Sequence, residues 1–235
     1  VNIVTFAPTL IASAPSVTDN ANGGINIAEA AIGIHVSVPL TGSEVAGEKV
    51  NVNINGVTTS HTLTQTEIDA HSVTVTAPTP TTDGSYPVTA TLTDLAGNTS
   101  TPSTPVTILV DTAAPTALGA ALHADTGTSS SDRITSDPVI TISNTQAGAT
   151  LEYSVNNGAT WTPFTGTSIT LPEGVYAQDA VQVRQTDSVG NISDVTKLAG
   201  LTVDTTAPAR PVAPSSYNDN VGAVMSATST ASSTD

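Results

Sequence analysis

The sequence predicts an all-β fold in which sandwich domains of similar sequence follow one another end to end. Three observations support this prediction. Threonine and valine are abundant while only 3% of the 235 residues are aromatic, and branching at Cβ favours strands over helices. Short segments alternate apolar and polar side chains with a period of two, as half-buried strands do. Residues 108–115 and 201–208 repeat one hinge sequence, Val-Asp-Thr-x-Ala-Pro, with its aspartates at Asp111 and Asp204.

A second motif repeats in step with the hinge and indicates the domain organisation. Asp94 and Asp187 each begin an Asp-x-x-Gly-Asn segment, and each lies 17 residues before the hinge aspartate. Equal spacing marks two copies of one unit. We therefore predict domains at residues 1–111 and 112–204, with residues 205–235 as the truncated start of a third.

Strand and turn signals within each unit predict an immunoglobulin-like sandwich. Asn55 and Gly56 tolerate positive φ and predict a hairpin turn between two strands. About seven short strands separated by turns are typical of this sandwich. The one predicted helix is a single turn at residues 66–70. Strands are expected at residues 50–54, 57–59, 88–93 and 106–110 of the first unit, and at 151–155, 181–187 and 198–203 of the second.

Composition excludes several classes of function. The net charge of −15, from 20 acidic and 5 basic residues, repels phosphates and anionic lipid, so we expect no nucleic-acid partner and no membrane insertion. The chain has no cysteine, which excludes disulfides and thiolate chemistry. No apolar run is long enough for a membrane helix, and the first residues show no basic segment followed by an apolar one. A divalent cation is the expected counter-charge.

The repeated motifs resemble those of bacterial Ig-like repeats in giant surface adhesins. The resemblance is carried by Asp-x-x-Gly-Asn with Val-Asp-Thr-x-Ala-Pro, by residues 125–135 and by residues 153–162, and it covers nearly the whole chain. Adhesins of this kind pass through one-step (type I) secretion in Gram-negative bacteria and act in biofilm formation or host attachment. The resemblance implies tandem modules with calcium ions at their junctions.

Loop positions in such a sandwich indicate which residues would lie at a calcium-binding junction. Loops alternate between two poles, so the first and the fifth connections of one unit lie where the chain leaves it. The next unit adds the loop that begins at its Asp-x-x-Gly-Asn motif. We expect a first site at Asp19, Asp83, Asp111 and Asp187, and a second at Asp125, Asp132, Glu173 and Asp204.

Oxygen ligands without histidine or cysteine select Ca²⁺, which takes about 6–8 oxygens in flexible geometry. The competing interpretation is that these carboxylates only cap turns through nearby backbone amides. Asn20, Asn22 and Asn191 could add amide oxygens or satisfy turns. Val4 stands where Asp111 stands in the repeat, so the hinge ahead of the first unit lacks its carboxylate.

Other candidate sites are weak. His35, His61, His71 and His123 have no metal-ligand spacing, and no Gly-x-Ser-x-Gly or phosphate-binding loop is present. Trp161 is expected in the core, with stacking on a sugar as its alternative.

The sequence therefore predicts a non-enzymatic, calcium-stiffened stalk segment of a large adhesin on the bacterial surface. We expect it to be extracellular and monomeric, with neighbouring modules of the same chain as its partners. Contact with a host or abiotic surface would fall to other regions of the protein. The alternatives are a module that binds a glycan or protein ligand, and an accessory module of a secreted enzyme.

Overall fold

A computed structural model describes residues 7–8 and 13–212 of the chain, and it confirms tandem Ig-like β-sandwiches. The first sandwich packs a three-stranded sheet, in the order β1-β2-β5, against a four-stranded sheet, in the order β4-β3-β6-β7. Its strands are β1 (Ser16–Val17), β2 (Ile34–Pro39), β3 (Lys49–Ile54), β4 (Val57–Thr62), β5 (Ser72–Ala77), β6 (Gly84–Thr93) and β7 (Val106–Val110).

The second sandwich repeats this plan with shorter strands. Its sheets have the orders β13-β10-β8, β12-β11-β15-β16 and β14-β17-β9. Residues 177–181 interrupt the strand that is continuous as β6 in the first unit, which gives β14 and β15. The strands are β8 (Gly119–Leu122), β9 (Ile134–Thr135), β10 (Val139–Ser143), β11 (Thr150–Ser154), β12 (Thr162–Phe164), β13 (Ser168–Thr170), β14 (Gly174–Tyr176), β15 (Gln182–Thr186), β16 (Thr196–Lys197) and β17 (Leu201–Val203).

Helical segments depart from the prediction. The predicted turn is present as α2 (Gln65–Asp69), but the sequence pattern did not indicate α1 (Ile27–Ile32) or a 3-10 turn at Thr18–Asn20. A capping box begins α1. The Asn26 side chain accepts the backbone N–H groups of Ala28 and Glu29, and the Glu29 carboxylate accepts the backbone N–H of Asn26. Capping of this kind stabilises a helix too short for an apolar period to reveal it.

The hairpin prediction is confirmed at its turn. Asn55 and Gly56 have φ of 52° and 80°, and Ile54 pairs with Val57 across them.

The prediction for Trp161 is wrong, since its ring lies half-buried at the surface beneath Arg184, whose guanidinium carbon is 4.0 Å from the ring centroid. Arg184 is held there by Glu152 at 2.8 Å. One face of the ring is therefore covered by a cation and not by the core.

Each sandwich has its own apolar core. Alternate residues of β2, β3, β5 and β6 fill the first core, which includes Ile34, Val36 and Val52 at 0% exposure. The second core includes Ile140 and Val183 and shares no residue with the first. Two separate cores mean that each sandwich is stabilised by its own buried apolar surface.

One parallel contact positions the loop after the first strand of each sandwich. Ile25 donates its N–H to Leu109 and accepts from the Asp111 N–H, which ties residues 18–26 to the end of β7. The corresponding residue in the second sandwich is Thr135, which accepts from the Asp204 N–H. The acidic hinges therefore begin beside these loops in both sandwiches.

The compact unit that contains both sandwiches ends at Thr205, and a second unit begins at Thr206. Most of the predicted third module, residues 213–235, and the hinge at Val4 lie outside the described residues. The domain limits at residues 111 and 204 stay predictions.

Because Trp161 is the only tryptophan and lies in the second sandwich, its fluorescence reports on the unfolding of that sandwich. Ile140→Ala should destabilise it by about 2–5 kcal/mol, lowering the urea midpoint seen by fluorescence by roughly 1–2 M. Val36→Ala is the matched control in the first core. It should lower a midpoint seen by circular dichroism and leave the fluorescence midpoint almost unchanged. Equal fluorescence shifts for both variants would contradict separate cores.

Candidate functional site at the module junction

The loop at residues 187–191 is shaped by the aspartate that begins it. One oxygen of Asp187 accepts from the backbone N–H groups of Val189, Gly190 and Asn191 at 2.9–3.0 Å. Its other oxygen accepts from Asn191 Nδ2 at 2.8 Å. Gly190 has a φ of 100°, a conformation that glycine adopts without strain. The loop therefore presents the Val189 carbonyl and the Asn191 amide in a fixed geometry.

Four hydrogen bonds of the described residues join this loop to the first sandwich. The Val189 carbonyl accepts from Asn22 Nδ2 at 2.7 Å and from Asn26 Nδ2 at 3.2 Å. Asn191 Oδ1 accepts the Ile27 N–H at 2.9 Å, and Asn191 Nδ2 donates to the Asp111 carbonyl at 2.8 Å. We call this set, Asn22, Asn26, Ile27 and Asp111 with Val189 and Asn191, the amide clasp.

A close apolar contact lies within the clasp. A Cβ placed on Gly24 would lie 2.5 Å from Val189 Cγ1 and 3.2 Å from Val189 Cβ. Gly24 therefore leaves the space that the Val189 side chain fills. Val189 and Asn191 are 2% and 1% exposed, so the first sandwich helps to remove both from water.

The hinge itself is held from the side of the first sandwich. Asp83 Oδ1 accepts from the N–H and the hydroxyl of Thr112 at 3.0 and 2.9 Å, and Asp111 Oδ1 accepts the Ala113 N–H at 3.1 Å. Pro115 is buried, and its ring fixes φ. The connection is thus hydrogen bonded on one side and packed on the other.

The residues of the first predicted metal site are partly brought together. Asp83 and Asp111 lie side by side at the end of the first sandwich, because Gly84 pairs with Val110. Asp187 is linked to Asp111 only indirectly, because Asn191 Nδ2 donates both to the Asp187 carboxylate and to the Asp111 carbonyl. Asp19 bonds elsewhere, since one of its oxygens accepts the His35 N–H at 2.6 Å and lies 3.1 Å from His35 Nδ1.

At the second predicted site two of the four carboxylates accept backbone N–H groups. Asp125 accepts the Arg133 N–H at 2.9 Å, and Asp132 accepts the Ile134 N–H at 3.0 Å. Glu173 accepts the Thr205 hydroxyl at 2.8 Å, as Asp83 does for Thr112. The backbone of Asp204 is bound to Thr135.

A cavity of about 420 Å³ lies beside Asp125 and is also lined by Arg133 and Lys197. Asp125 Oδ1 is buried without a hydrogen-bond partner among the described residues. Two cationic side chains in one cavity oppose a metal ion there.

Within the described ranges, no three side chains of His, Cys, Asp or Glu come together in a way that could hold a metal ion. One observation in the first sandwich does favour a cation. Asn20 Oδ1 is buried and, among the described residues, accepts no hydrogen bond. Its loop carries Asp19 and is tied to β7 through Ile25. The eight calcium ligands stay predictions.

Three of the four histidines bond to carboxylates. His61 and His123 lie 2.9 and 2.7 Å from Glu67 and Asp137, in addition to the His35 contact. The hydrogen bond from His123 is the largest cause of a lowered pKa at Asp137. At Glu67 the Thr64 N–H is the largest cause of a lowered pKa, and His61 adds to it. These pairs hold turns and strand ends within single sandwiches.

The clasp residues were only partly accessible to sequence reasoning. The sequence indicates Asn22 and Asn191 as turn or ligand residues, but it does not single out Asn26, Gly24 or Val189. The signal was the run Asn-Ala-Asn-Gly-Gly-Ile-Asn at residues 20–26, where several amides and two glycines precede a strand-like residue. Asparagine supplies both donors and acceptors, and so suits contact with backbone.

Residues 13–112 match the family model of a bacterial Ig-like domain. No curated protein matches the chain. Among solved structures the chain is similar to the fibronectin(III)-like modules of Clostridium thermocellum CbhA, with 12% identity, 80% of this chain and 93% of that chain covered, and a TM-score of 0.46. It is also similar to a structure from a 1.5-MDa bacterial ice-binding adhesin, with 21% identity, 84% and 67% covered, and a TM-score of 0.37.

A third similar structure is a tetra-tandem repeat in the extending region of a large adhesion protein. Its identity is 18%, the match covers 81% of this chain and 48% of that chain, and the TM-score is 0.30.

In the part of the chain that the structure describes, no helix is long and apolar enough to cross a membrane.

The clasp loop should respond to acid. Burial raises the pKa of Asp187, but hydrogen bonds from the Asn191 side chain and from the loop N–H groups outweigh it and leave the pKa below its usual value. A carboxylate with a pKa of about 3.9 in the unfolded chain therefore stabilises the fold above that pH. This contribution is lost as the pH falls through the lower folded-state pKa.

We expect Asp187→Asn to lower the thermal midpoint at neutral pH. Below about pH 4 the midpoint of the variant should fall less steeply than that of the unchanged protein. Asp194→Asn is the matched control, because it removes an exposed charge of the same sandwich outside the loop. The measurement is thermal unfolding by Trp161 fluorescence from neutral to acidic pH. An Asp187→Asn profile parallel to that of the unchanged protein would show that the loop carboxylate has no such role.

Proposed function

We propose that this chain is a non-enzymatic spacer segment of a large bacterial surface adhesin, and that its function is to hold successive Ig-like modules in a set orientation outside the cell. The bacterial Ig-like match of residues 13–112 supports the module type. The amide clasp is the observation that carries the proposal. A loop whose Val189 and Asn191 are at most 2% exposed against the neighbouring sandwich is built for contact with a module.

The clasp resists rotation of one sandwich against the other because its bonds point in different directions. Asn191 bonds to the start of α1 through Oδ1 and to the hinge carbonyl through Nδ2. Asn22 and Asn26 bind the Val189 carbonyl from the same loop of the first sandwich. A change in orientation would break several of these bonds at once, and each buried group left unsatisfied costs about 1–3 kcal/mol.

The surroundings of Trp161 give no support to the glycan-binding alternative. Arg184 occupies one ring face, at 4.0 Å from the centroid, and is fixed by Glu152. A sugar stacking on that face would have to displace a paired cation. We therefore infer that the function of this segment lies in its joint.

Calcium binding at the first junction forms the second part of the proposal. Asp83 and Asp111 offer the hard oxygen ligands that Ca²⁺ prefers. Bound Ca²⁺ would supply positive charge at the acidic end of the first sandwich. Extracellular modules bind calcium at about 10⁻⁴–10⁻³ M, so the joint would stiffen outside the cell and remain looser where calcium is scarce. The clasp would act in either condition.

Asn191→Ala should loosen the joint, since it removes two bonds across the junction. Small-angle scattering should show a broader distribution of distances between modules, and residual dipolar couplings should show less correlated orientation. Asn98→Ala is the matched control, because Asn98 makes the same bond to its own loop aspartate at 2.8 Å. If Asn191→Ala keeps the couplings of the unchanged protein, the clasp does not set the orientation.

Calcium should stabilise the protein measurably. At about 100-fold excess over Kd the ion contributes roughly 2.7 kcal/mol, which corresponds to a rise of about 10 °C or more in the Tm of a domain of this size. Asp111→Asn should abolish this rise, whereas Asp69→Asn, at the exposed end of α2, should keep it. Calorimetry with Ca²⁺, Mg²⁺ or chelator makes the comparison, and an equal Tm in all three would refute calcium binding.

A further inference from the structure

The first sandwich carries a second copy of the clasp loop at residues 94–98. Asp94 Oδ1 accepts the Ala96 and Asn98 N–H groups at 2.9 and 2.8 Å, and its other oxygen accepts from Asn98 Nδ2 at 2.8 Å. Gly97 has a φ of 92°, close to that of Gly190. The Asn98 side chain is the largest cause of a lowered pKa at Asp94. The two loops thus share both sequence pattern and internal geometry.

The two copies differ in how they are covered. In the second sandwich, Val189 is buried against the first sandwich. In the first sandwich the corresponding Ala96 is exposed, and Leu95 beside it is 68% exposed. Because the two loops have the same internal geometry, their unequal burial comes from different neighbours. The junction between the two sandwiches therefore shows what kind of surface covers such a loop.

We propose that the loop at residues 94–98 is a docking surface for another Ig-like module, one that presents the Asn-Gly-Gly-Ile-Asn pattern of residues 22–26. This inference rests on the proposed function, because it extends the clasp from one joint to a second surface. The partner would hold the Ala96 carbonyl with two asparagine amides.

Side-chain sizes agree with this pairing. The Val189 methyl groups fill the space over Gly24, and Ala96 is smaller than valine, so it enters the same space without a clash. Leu95 stands where Ser188 stands in the second loop. Its exposed apolar surface would gain about 25 cal/mol for each Å² that a partner covers.

The outgoing loops of the two sandwiches differ in a way that makes the proposed docking selective. Ile134 occupies the place of Gly24 in the second sandwich, since Thr135 and Ile25 make the same contact with their hinges. Ser136 likewise replaces Asn26. An isoleucine side chain would fill the space that Val189 or Ala96 needs, and serine cannot donate through an amide. The outgoing loop of the second sandwich is therefore not a partner for a clasp loop in this geometry.

Engineered disulfides test the proposal directly, because the chain has no cysteine of its own. A further copy of residues 13–113 is placed ahead of Ala7 of the chain, so that its hinge leads into Ala7 and Pro8 as Asp111 leads into Ala114 and Pro115. Gly24→Cys in the added copy is combined with Ala96→Cys in the first sandwich of the original chain. Oxidation is followed by gel mobility and by mass spectrometry of the linked peptides.

Two further cysteine pairs serve as controls. Gly24→Cys with Val189→Cys in the unextended chain reports the joint already described, where a Cβ on Gly24 would lie 3.2 Å from Val189 Cβ, near the range of a disulfide. Gly24→Cys in the added copy with Thr58→Cys, at an exposed position of β4, reports random collision. Asn22→Ala in the added copy removes one of the two donors to the Ala96 carbonyl, and it should slow the proposed crosslink by about tenfold, equivalent to about 1.4 kcal/mol of docking energy.

We expect the Ala96 and Val189 pairs to crosslink and the Thr58 pair to remain reduced. If the Val189 pair crosslinks and the Ala96 pair does not, the docking proposal is wrong and the joint of the proposed function stands. If neither crosslinks, the clasp geometry fails and both proposals are overturned. Crosslinking of the Thr58 pair at the same rate as the Ala96 pair would also overturn the docking proposal.

Discussion

The side chain of Asn191 is the interaction on which the junction depends. A single amide accepts the first N–H of α1, donates to the carbonyl of the hinge aspartate and donates to the carboxylate that shapes its own loop. The first N–H groups of a helix have no partner within the helix. In α1 they are satisfied by Asn26 from the same sandwich and by Asn191 from the next. The fold of one sandwich is thus completed by the other.

Amides suit this position better than charges do. The chain has a net charge of −15, so carboxylates facing each other across a junction would repel unless a cation lay between them. The carboxylates near the junction instead accept backbone N–H groups beside them, as Asp83 does from Thr112 and Asp187 from its loop. Neutral asparagines make the contacts between sandwiches. The contact can therefore form without metal, and calcium would reinforce it.

Much of the fold was predictable because local signals and long-range packing agree. Strand alternation, the Asn55-Gly56 turn and the repeated hinge each act over a few residues, and the sandwich satisfies all of them. The helix α1 was not predictable from periodicity, since six residues are too few to show it. The clasp was harder still. Whether an asparagine caps its own turn or reaches another domain depends on what faces it, as Asn26 shows by doing both.

The repeats are similar in fold and different in their outgoing ends, and this difference bears on how a series of modules is ordered. A glycine at position 24 admits a neighbour closely, whereas the equivalent Ile134 is 52% exposed and projects from the surface. Hinge chemistry is nearly the same in both, since Thr112 and Thr205 each bond to an acidic side chain. We infer that the loop beside the hinge, and not the hinge itself, sets the geometry of a joint. Modules joined by one hinge sequence can differ in the rigidity of their junctions.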